Sequence, residues 1–483
     1  MRDTRPVIVG AGPAGIRAAQ ALVAAGLRPI VLDEAPRAGG QIYRQPPAGF
    51  QRSGRELYGF EHRKAARLHG AMQALIPAID YRPGALVWNC EDGVLDVLRD
   101  GRNETVDYTH LILATGATDR VLPFPGWTLP GVYTLGGAQV ALKFQGCGIG
   151  RRVAFMGTGP LLYLVAYQYA KAGAEVAAVL DTSASTDRLA ALPGMMRTPG
   201  LVAKGLYTLG WLRLHGVPLY SDVRPDHVIG YEEVSGVVCR QAHGDGGGKS
   251  LRIACDAVAY GLGLRAETQL AAVAGCRFDY HERDRAWLPR RDAAGRASVP
   301  GVYLAGDGAG IAGADAAELA GERAALALLE DAGVRTDTAR AAALQRKLAR
   351  QERVRDALER AFPFPVDWAA SLGDDVILCR CEEITVGALR ASAQIDGARE
   401  LNRGKSLTRV GMGRCQGRMC GAAAAEVLAR ASGVALPQVG WLRAQPPIKP
   451  IPISLFSMDA PDVPALPAAG VAGAMGMSGP GRR

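Results

Sequence analysis

At 483 residues the chain is too long for one hydrophobic core and points to two to four domains. A composition of 48% hydrophobic and 21% charged residues, with no long unbroken apolar run, argues against a disordered chain and against a transmembrane segment. The formal charge of +9 is spread over scattered arginines with no basic block and no aromatic track, which argues against a nucleic-acid groove and leaves a basic surface or attraction to an acidic partner or anionic cofactor.

The N-terminus leads straight into a strand at residues 6–9, leaving no room for a signal peptide. Gly10-Ala11-Gly12-Pro13-Ala14-Gly15 follows, then a helical run over 16–26 and a second strand over 28–32 that ends at Asp33-Glu34. This is a dinucleotide-binding fingerprint in its proper context. Gly10 permits the tight turn, Gly12 admits a pyrophosphate to the backbone, and Gly15 lets helix and strand touch. The helix N-terminus turns free N–H groups toward phosphate. Asp33 and Glu34 are both placed to hold ribose hydroxyls, and the spacing does not choose between them.

Gly39-Gly40-Gln41 comes next, followed by a strand meander over 85–90, 94–99 and 106 onward, with turns at 91–93 and 100–103. It leads into Leu111-Ile112-Leu113-Ala114-Thr115-Gly116. A second strand–glycine–helix unit begins at 152–156, continues with Gly157-Thr158-Gly159-Pro160-Leu161-Leu162 and a helix to 173, and closes with a strand over 175–180 ending at Asp181. The chain therefore carries an internal duplication. Leu162 stands where the third glycine belongs, so the helix is expected to sit farther out and the phosphate bed to be altered. Asp181 would suit an unphosphorylated ribose, with Arg188 near enough for a phosphate. Three readings stay open for this fold: an NAD(P)H donor site, a structural adenine nucleotide such as ATP, or no ligand. Residues 243–249 read as a hairpin turn without chemistry. Far downstream, the strand 302–304 runs through Ala305 into Gly306-Asp307.

Five of nine cysteines are isolated (Cys90, Cys147, Cys239, Cys255, Cys276), which is reduced-thiol usage. The other four form Cys379-X-Cys381 and, after 33 residues, Cys415-X4-Cys420. Four thiolates suit zinc or an iron–sulfur cluster. Cys-X-Cys is tight for structural zinc, and Arg380, Arg414 and Arg418 would offset an anionic cluster, so a 2Fe-2S centre is the expectation over zinc or free thiols. Short helices are expected from about 385 and over 422–431. Seven histidines lack motif context, and no catalytic residue is identified.

The two glycine folds, the meander and Gly306-Asp307 resemble the glutathione-reductase-like flavoproteins with two dinucleotide-binding domains. That resemblance implies FAD in the first fold, with Gly10, Gly12, Ala14, Gly15, Asp33, Glu34, Gly40, Gln41, Ala114, Thr115, Gly116, Gly306 and Asp307 lining it, and Asp307 at the ribityl and pyrophosphate region. Gly157, Gly159 and Asp181 line the second fold. The fold class is α/β: two Rossmann-like domains with a small helical C-terminal domain. The expected units are a split FAD domain (1–145 and 296–350), a degenerate second domain (146–295), a linker (351–374), a 2Fe-2S domain (375–438) and a Pro/Gly/Ala-rich tail (439–483).

The four-cysteine spacing resembles the bacterioferritin-associated ferredoxins. Gly39 to Arg44, the loop 125–132, Gly306-Asp307 and Gly411 to Gly417, in that order, make residues 5–460 similar to the α subunits of heteromeric dye-linked dehydrogenases: those of the opine oxidases, the D-hydroxyproline dehydrogenases and a hydrogen cyanide synthase. The resemblance implies an FAD-containing β subunit that carries the substrate site and oxidises an amino acid, imino acid or opine. Further expectations are a cytoplasmic location, peripheral to the inner membrane through the electron acceptor, and a small third subunit. The disulfide reductases' Cys-X4-Cys is missing after Gly39-Gly40, and Cys147 has no partner nearby in sequence, so disulfide exchange is not expected. Gln41 and Arg44 are candidates to lie near the flavin ring. A self-contained NAD(P)H-dependent reductase is the alternative.

Overall fold

The structure is a computed structural model that describes residues 5–47, 49–50, 52–241 and 248–456. Most of the expected hairpin at 243–249, with His243, and the end of the tail lie outside the described residues.

The first strands are β1 (Val7–Val9), β2 (Ile30–Asp33) and β3 (Asp80–Pro83). A meander of β4 (Leu86–Glu91), β5 (Val94–Arg99) and β6 (Arg102–Asp107) follows, then β7 (Leu111–Leu113). The expected meander was right in its first two strands. Its third begins at Arg102 rather than Val106, because the turn closes in two residues, with Asp100 and Gly101 both at positive φ. Next come β8 (Ala117–Asp119), β9 (Val132–Thr134), β10 (Arg152–Gly157), β11 (Glu175–Asp181) and β12 (Leu219–Tyr220). An antiparallel trio, β13 (Val223–Gly230), β14 (Val234–Gln241) and β15 (Ser250–Ala254), precedes β16 (Ala257–Gly261) and β17 (Leu264–Ala266). β18 (Phe278–His281) and β19 (Ala286–Pro289) form a hairpin of their own, and the short β20 (Val302–Leu304) completes the first large sheet.

Two five-stranded parallel sheets result, β20-β7-β1-β2-β3 and β12-β11-β10-β16-β9. Their central strands carry the buried apolar runs Val7–Ile8 and Val153–Met156, as expected of parallel strands covered by helices on both faces. The first sheet borrows its edge β20 from about 190 residues downstream. The second borrows its edge β9 from upstream. The expected boundary at 145 therefore falls too late for the sheet, since β9 already belongs to the second one. The boundary at 295 also falls too late: the chain crosses between folds on the antiparallel pair β8 and β17, and Leu270, Ala271 and Cys276 are back in the core of the first sheet.

Residues 351–374 are not a free linker. They begin inside the helix Thr338–Ala361, and the buried Trp368 donates from Nε1 to Pro123 O at 2.8 Å. Phe364 lies between the guanidinium groups of Arg120 (5.3 Å) and Arg285 (4.9 Å). The cysteine region holds four helices: Val386–Gln394 and Gly421–Ser432 near the expected positions, and Leu401–Thr408 and the short Leu436–Val439 in addition. Its apolar residues merge with those of the second fold into one core, tied by Trp127 Nε1 donating to Ile377 O at 2.7 Å.

Residues 440–456 are no loose tail. They run as a strap back to the first fold. Trp441 stacks on Phe278 at 4.3 Å, Ile448 is buried and donates from N to Trp88 O, and Lys449 pairs with Glu34. A proline-rich segment cannot join a sheet but still offers carbonyls and apolar faces, which is how this one docks.

Candidate functional site

The first glycine bed is built by close backbone approach. Gly10 sits at φ +105°, and a Cβ there would lie 2.3 Å from Ala114 O. A Cβ on Gly15 would lie 1.8 Å from Gly10 O, so only glycine lets the helix Pro13–Ala24 touch its strand. Gly12 is the N-cap of that helix and supplies no side chain, so the first-turn N–H groups stay available to an anion. Gly40 rests on Gly12, with a Cβ position 3.0 Å from Gly12 Cα, and Gly306 rests on Ala14 at the same distance from its Cβ. Gly10, Gly12, Ala14, Gly15, Gly40, Ala114 and Gly306 thus meet around one helix N-terminus.

Thr115 and Gly116 lie against Gly308, just beyond Asp307, where a Cβ would be 3.1 Å from Gly116 N and 3.3 Å from Thr115 N, and they also tie the two folds together. Thr115 Oγ1 donates to Glu267 O at 2.6 Å, and Gly116 O accepts from Glu267 N at 2.9 Å, which fastens the crossing between the folds. Asp307 shapes its own loop: its Oδ1 accepts from Ala312 N and Gly313 N, both at 2.9 Å, and burial raises its pKa. Gln41 is exposed and accepts from Arg44 Nη2 at 2.9 Å.

The two candidate ribose acids are now distinct. Asp33 is 8% exposed, and both its oxygens take backbone donors, Ala11 N at 2.5 Å and Ala35 N at 2.7 Å. Burial outweighs those donors and raises its pKa to about 6. Asp33 therefore locks the turn. Glu34 next to it is exposed, and its only ion pair among the described residues is with Lys449 of the strap.

The second bed has the same glycine turns, with Gly157 and Gly159 at φ +144° and +95°. Leu162 is fully buried, inside a core with Leu135, Phe155 and Val165. Asp181 has a side chain with no exposure and takes donors from Tyr163 OH (2.5 Å), Ser183 N (2.8 Å), Ser183 Oγ (2.7 Å) and Arg188 Nη1 (2.6 Å). Arg188 also donates to the Tyr163 phenol at 2.9 Å. The expectation that Asp181 meets a ribose is corrected in this conformation: its acceptor capacity is spent inside the chain, and Arg188 is spent on Asp181 rather than on a phosphate. Tyr163, one residue beyond Leu162, was missed. Its only signal in the sequence is an aromatic phenol following the glycine loop.

The four cysteines converge. Cys420 contacts Cys379 and Cys415 through sulfur, and Cys415 contacts Cys381. The Cys420 thiol, donating to both, holds Cys379 and Cys415 below the usual range, and backbone N–H groups add to it: those of Gly411, Glu382 and Cys381 at Cys379 sulfur, and those of Met419 and Gly417 at Cys415 sulfur. A Cβ on Gly413 would lie 2.3 Å from Cys381 Cβ, so this glycine is required for the approach. Leu442 of the strap covers Gly411 and Gly417, and Gln269 of the first fold donates to Gln416 O at 2.8 Å. Among the described residues, no three His, Cys, Asp or Glu side chains form a ready metal cage. The sulfur contacts run Cys379–Cys420–Cys415–Cys381. Of the flanking arginines, Arg418 is used by the strap, donating to Ile448 O at 2.9 Å.

Two of the histidines pair with a carboxylate, His227 with Asp226 at 3.1 Å and His281 with Asp284 at 2.9 Å. His62 and His69 lie 2.9 and 2.8 Å from backbone carbonyls. No helix among the described residues is long and apolar enough to cross a membrane.

Comparison with known proteins gives this geometry a family. The profile described as pyridine nucleotide-disulphide oxidoreductase matches residues 4–322, and that of the sarcosine oxidase A3 domain matches 378–460. The opine oxidase A-subunit protein of Rhizobium meliloti is 38% identical over 463 residues, covering 92% of this chain and 85% of that protein. The HcnB subunit of hydrogen cyanide synthase from Pseudomonas protegens is 37% identical over 466 residues, covering 93% and 97%. The crystal structure of L-proline dehydrogenase from P. horikoshii has the same fold, with a TM-score of 0.67 at 20% identity over 94% of this chain and 79% of that one. The chain is therefore an oxidoreductase of the pyridine nucleotide-disulphide oxidoreductase family, in the branch that holds the opine oxidase A-type and the hydrogen cyanide synthase HcnB-type subunits.

Proposed function

We propose that this chain is the FAD- and 2Fe-2S-bearing electron-transfer subunit of a heteromeric dehydrogenase or oxidase, whose partner flavoprotein oxidises a secondary amine such as an opine or imino acid. The observation that carries the reading is the convergence of the four thiols, Cys379, Cys381, Cys415 and Cys420, with backbone N–H groups aimed at their sulfurs. Such donors favour anionic sulfur and raise the potential of a bound cluster. The family relatives named as subunits of an opine oxidase and of a hydrogen cyanide synthase support a partner and an amine substrate.

Bound FAD and the cluster would supply two-electron acceptance and one-electron transfer respectively. The chain's own residues do the rest. Gly10, Gly12 and Gly15 bring the helix N-terminus to the pyrophosphate. Glu34 takes the ribose, while Asp33 holds the turn beneath it. The four cysteines hold the cluster, and Leu442 shields its loop from water. Asp181, being occupied, offers nothing to a nicotinamide nucleotide, which weighs against the self-contained reductase reading and leaves the second fold structural.

The test is an anaerobic titration of the purified chain with NADH and NADPH, combined with iron and acid-labile sulfide analysis. The expected result is about two irons and two sulfides per FAD, no flavin bleaching by either nucleotide, and full bleaching by dithionite. Zinc in place of iron, or rapid stoichiometric bleaching by NADH, would sink the proposal.

A further inference from the structure

We propose that the strap 440–456 ties FAD retention to the four-cysteine loop: Arg418 of that loop positions Lys449 of the strap, and Lys449 positions Glu34 of the first fold. The inference rests on the reading above that FAD occupies the first fold with Glu34 at its ribose.

The strap is fixed first to the cysteine region. Asn402, on the helix Leu401–Thr408, clamps it with both ends of one amide. Its Nδ2 donates to Trp441 O at 3.0 Å, and its Oδ1 accepts from Arg443 N at 3.1 Å. Leu442, between those two residues, lies against the cysteine loop: a Cβ on Gly411 or on Gly417 would stand 2.5 Å from its Cδ1. Arg418, inside the Cys415-X4-Cys420 turn, donates from Nη1 to Ile448 O at 2.9 Å.

The same segment ends on the first fold. Ile448 is 4% exposed, in one core with Val7, Leu32 and Cys276. Its N donates to Trp88 O at 3.0 Å while its carbonyl takes Arg418, so a single residue joins the two regions through its backbone. The next residue, Lys449, pairs with Glu34 Oε2. No donor among the described residues takes Glu34 Oε1, which leaves that oxygen for a ribose hydroxyl.

An exposed carboxylate samples several rotamers, and fixing one oxygen removes part of that freedom before a ligand arrives. A solvent-exposed ion pair does this weakly when its cation is itself free to move. Here the cation sits next to a buried anchor, and the anchor's carbonyl is held by Arg418. Loosening the cysteine loop therefore loosens Lys449, and Glu34 loses its fixed oxygen. Such coupling is reciprocal, so bound FAD must in turn steady the strap.

The test uses the full FAD-loaded chain with Arg418→Met, Lys449→Met, Lys449→Arg and the double variant R418M/K449M. FAD release on dilution is followed by the fluorescence of free flavin, with circular dichroism as the check on folding. R418M and K449M should each release FAD about threefold faster than the parent, and K449R should stay within about 1.5-fold of it. The double variant should also lie near threefold and not at the product, about ninefold, because both substitutions cut the same line. Hydrogen exchange over 440–449 should quicken in the parent stripped of FAD. Unchanged release in K449M would overturn the inference, and this surface change decides the matter even where R418M does not fold. Multiplied effects in the double variant would overturn it as well, since Arg418 would then act on FAD by another route. A parent chain that takes up no added FAD would overturn both the inference and the reading beneath it.

Discussion

The two nucleotide folds share a sheet, a glycine turn and an acid at the end of the second strand, yet they treat that acid in opposite ways. In the first fold Asp33 is consumed by the backbone and the neighbouring Glu34 stays exposed. In the second fold the acid Asp181 is consumed by Tyr163, Ser183 and Arg188, and the next residue is Thr182, which cannot replace it. The third glycine differs in parallel: Gly15 keeps its helix in van der Waals contact, while Leu162 contributes about 2 kcal/mol of apolar burial instead. A fold survives as long as its strands stay apolar. A binding site survives only while its polar groups stay uncommitted.

Making the first fold resemble the second should have the largest effect. Gly15→Leu would put a side chain where even a Cβ lies 1.8 Å from Gly10 O. FAD affinity should fall at least a hundredfold, roughly 2.7 kcal/mol, seen as a low flavin-to-protein ratio in chain that retains its circular dichroism. A flavin-replete Gly15→Leu protein would break the comparison.

Opening the second fold should reduce stability and leave flavin content untouched. Asp181→Asn breaks a buried pair whose arginine is partly exposed, so the expected loss is about 2–3 kcal/mol in denaturant unfolding, below the range for a fully buried pair. NADH should still fail to bleach the flavin. Bleaching in this variant would mean that the network is a lock over a working site.

The last effect is confined to a pH window and concerns Asp33, and its sign is specific. Its folded pKa, about 6, lies above its unfolded value of 3.8, so the folded state binds the proton more tightly. Stability must then fall as pH rises from about 4 to about 6, by at most about 3 kcal/mol. Thermal melts across that window should show the fall in the parent and a flatter profile in Asp33→Asn. A parent stability that rises over this range would place Asp33 with the ordinary ion-paired carboxylates.

The parts of the molecule legible in the sequence are those where local spacing is the mechanism. Gly10 to Gly15, the paired cysteines and Gly306-Asp307 announce themselves because tight turns and thiolate sets tolerate few residue types. The choice between Asp33 and Glu34 was not legible, since it depends on which carboxylate the Ala11 and Ala35 N–H groups capture. The contact of buried Lys143 with Ile42 O has no local signal, because its partners lie about a hundred residues apart. The strap was read as a tail from its prolines, although Trp441, Leu442 and Ile448 were apolar residues needing cover.

The split first sheet also has a consequence in time. On a ribosome adding about 5–20 residues per second, β7 emerges some 10–40 s before β20, its partner about 190 residues later. Through that interval Leu111, Ile112 and Leu113 form an open apolar strand edge on a nascent chain, the kind of surface that recruits chaperones or a wrong strand. The strap arrives later still. The first sheet is thereby complete only once β20 has emerged, and the yield of folded chain in a foreign host should depend on the pace of synthesis.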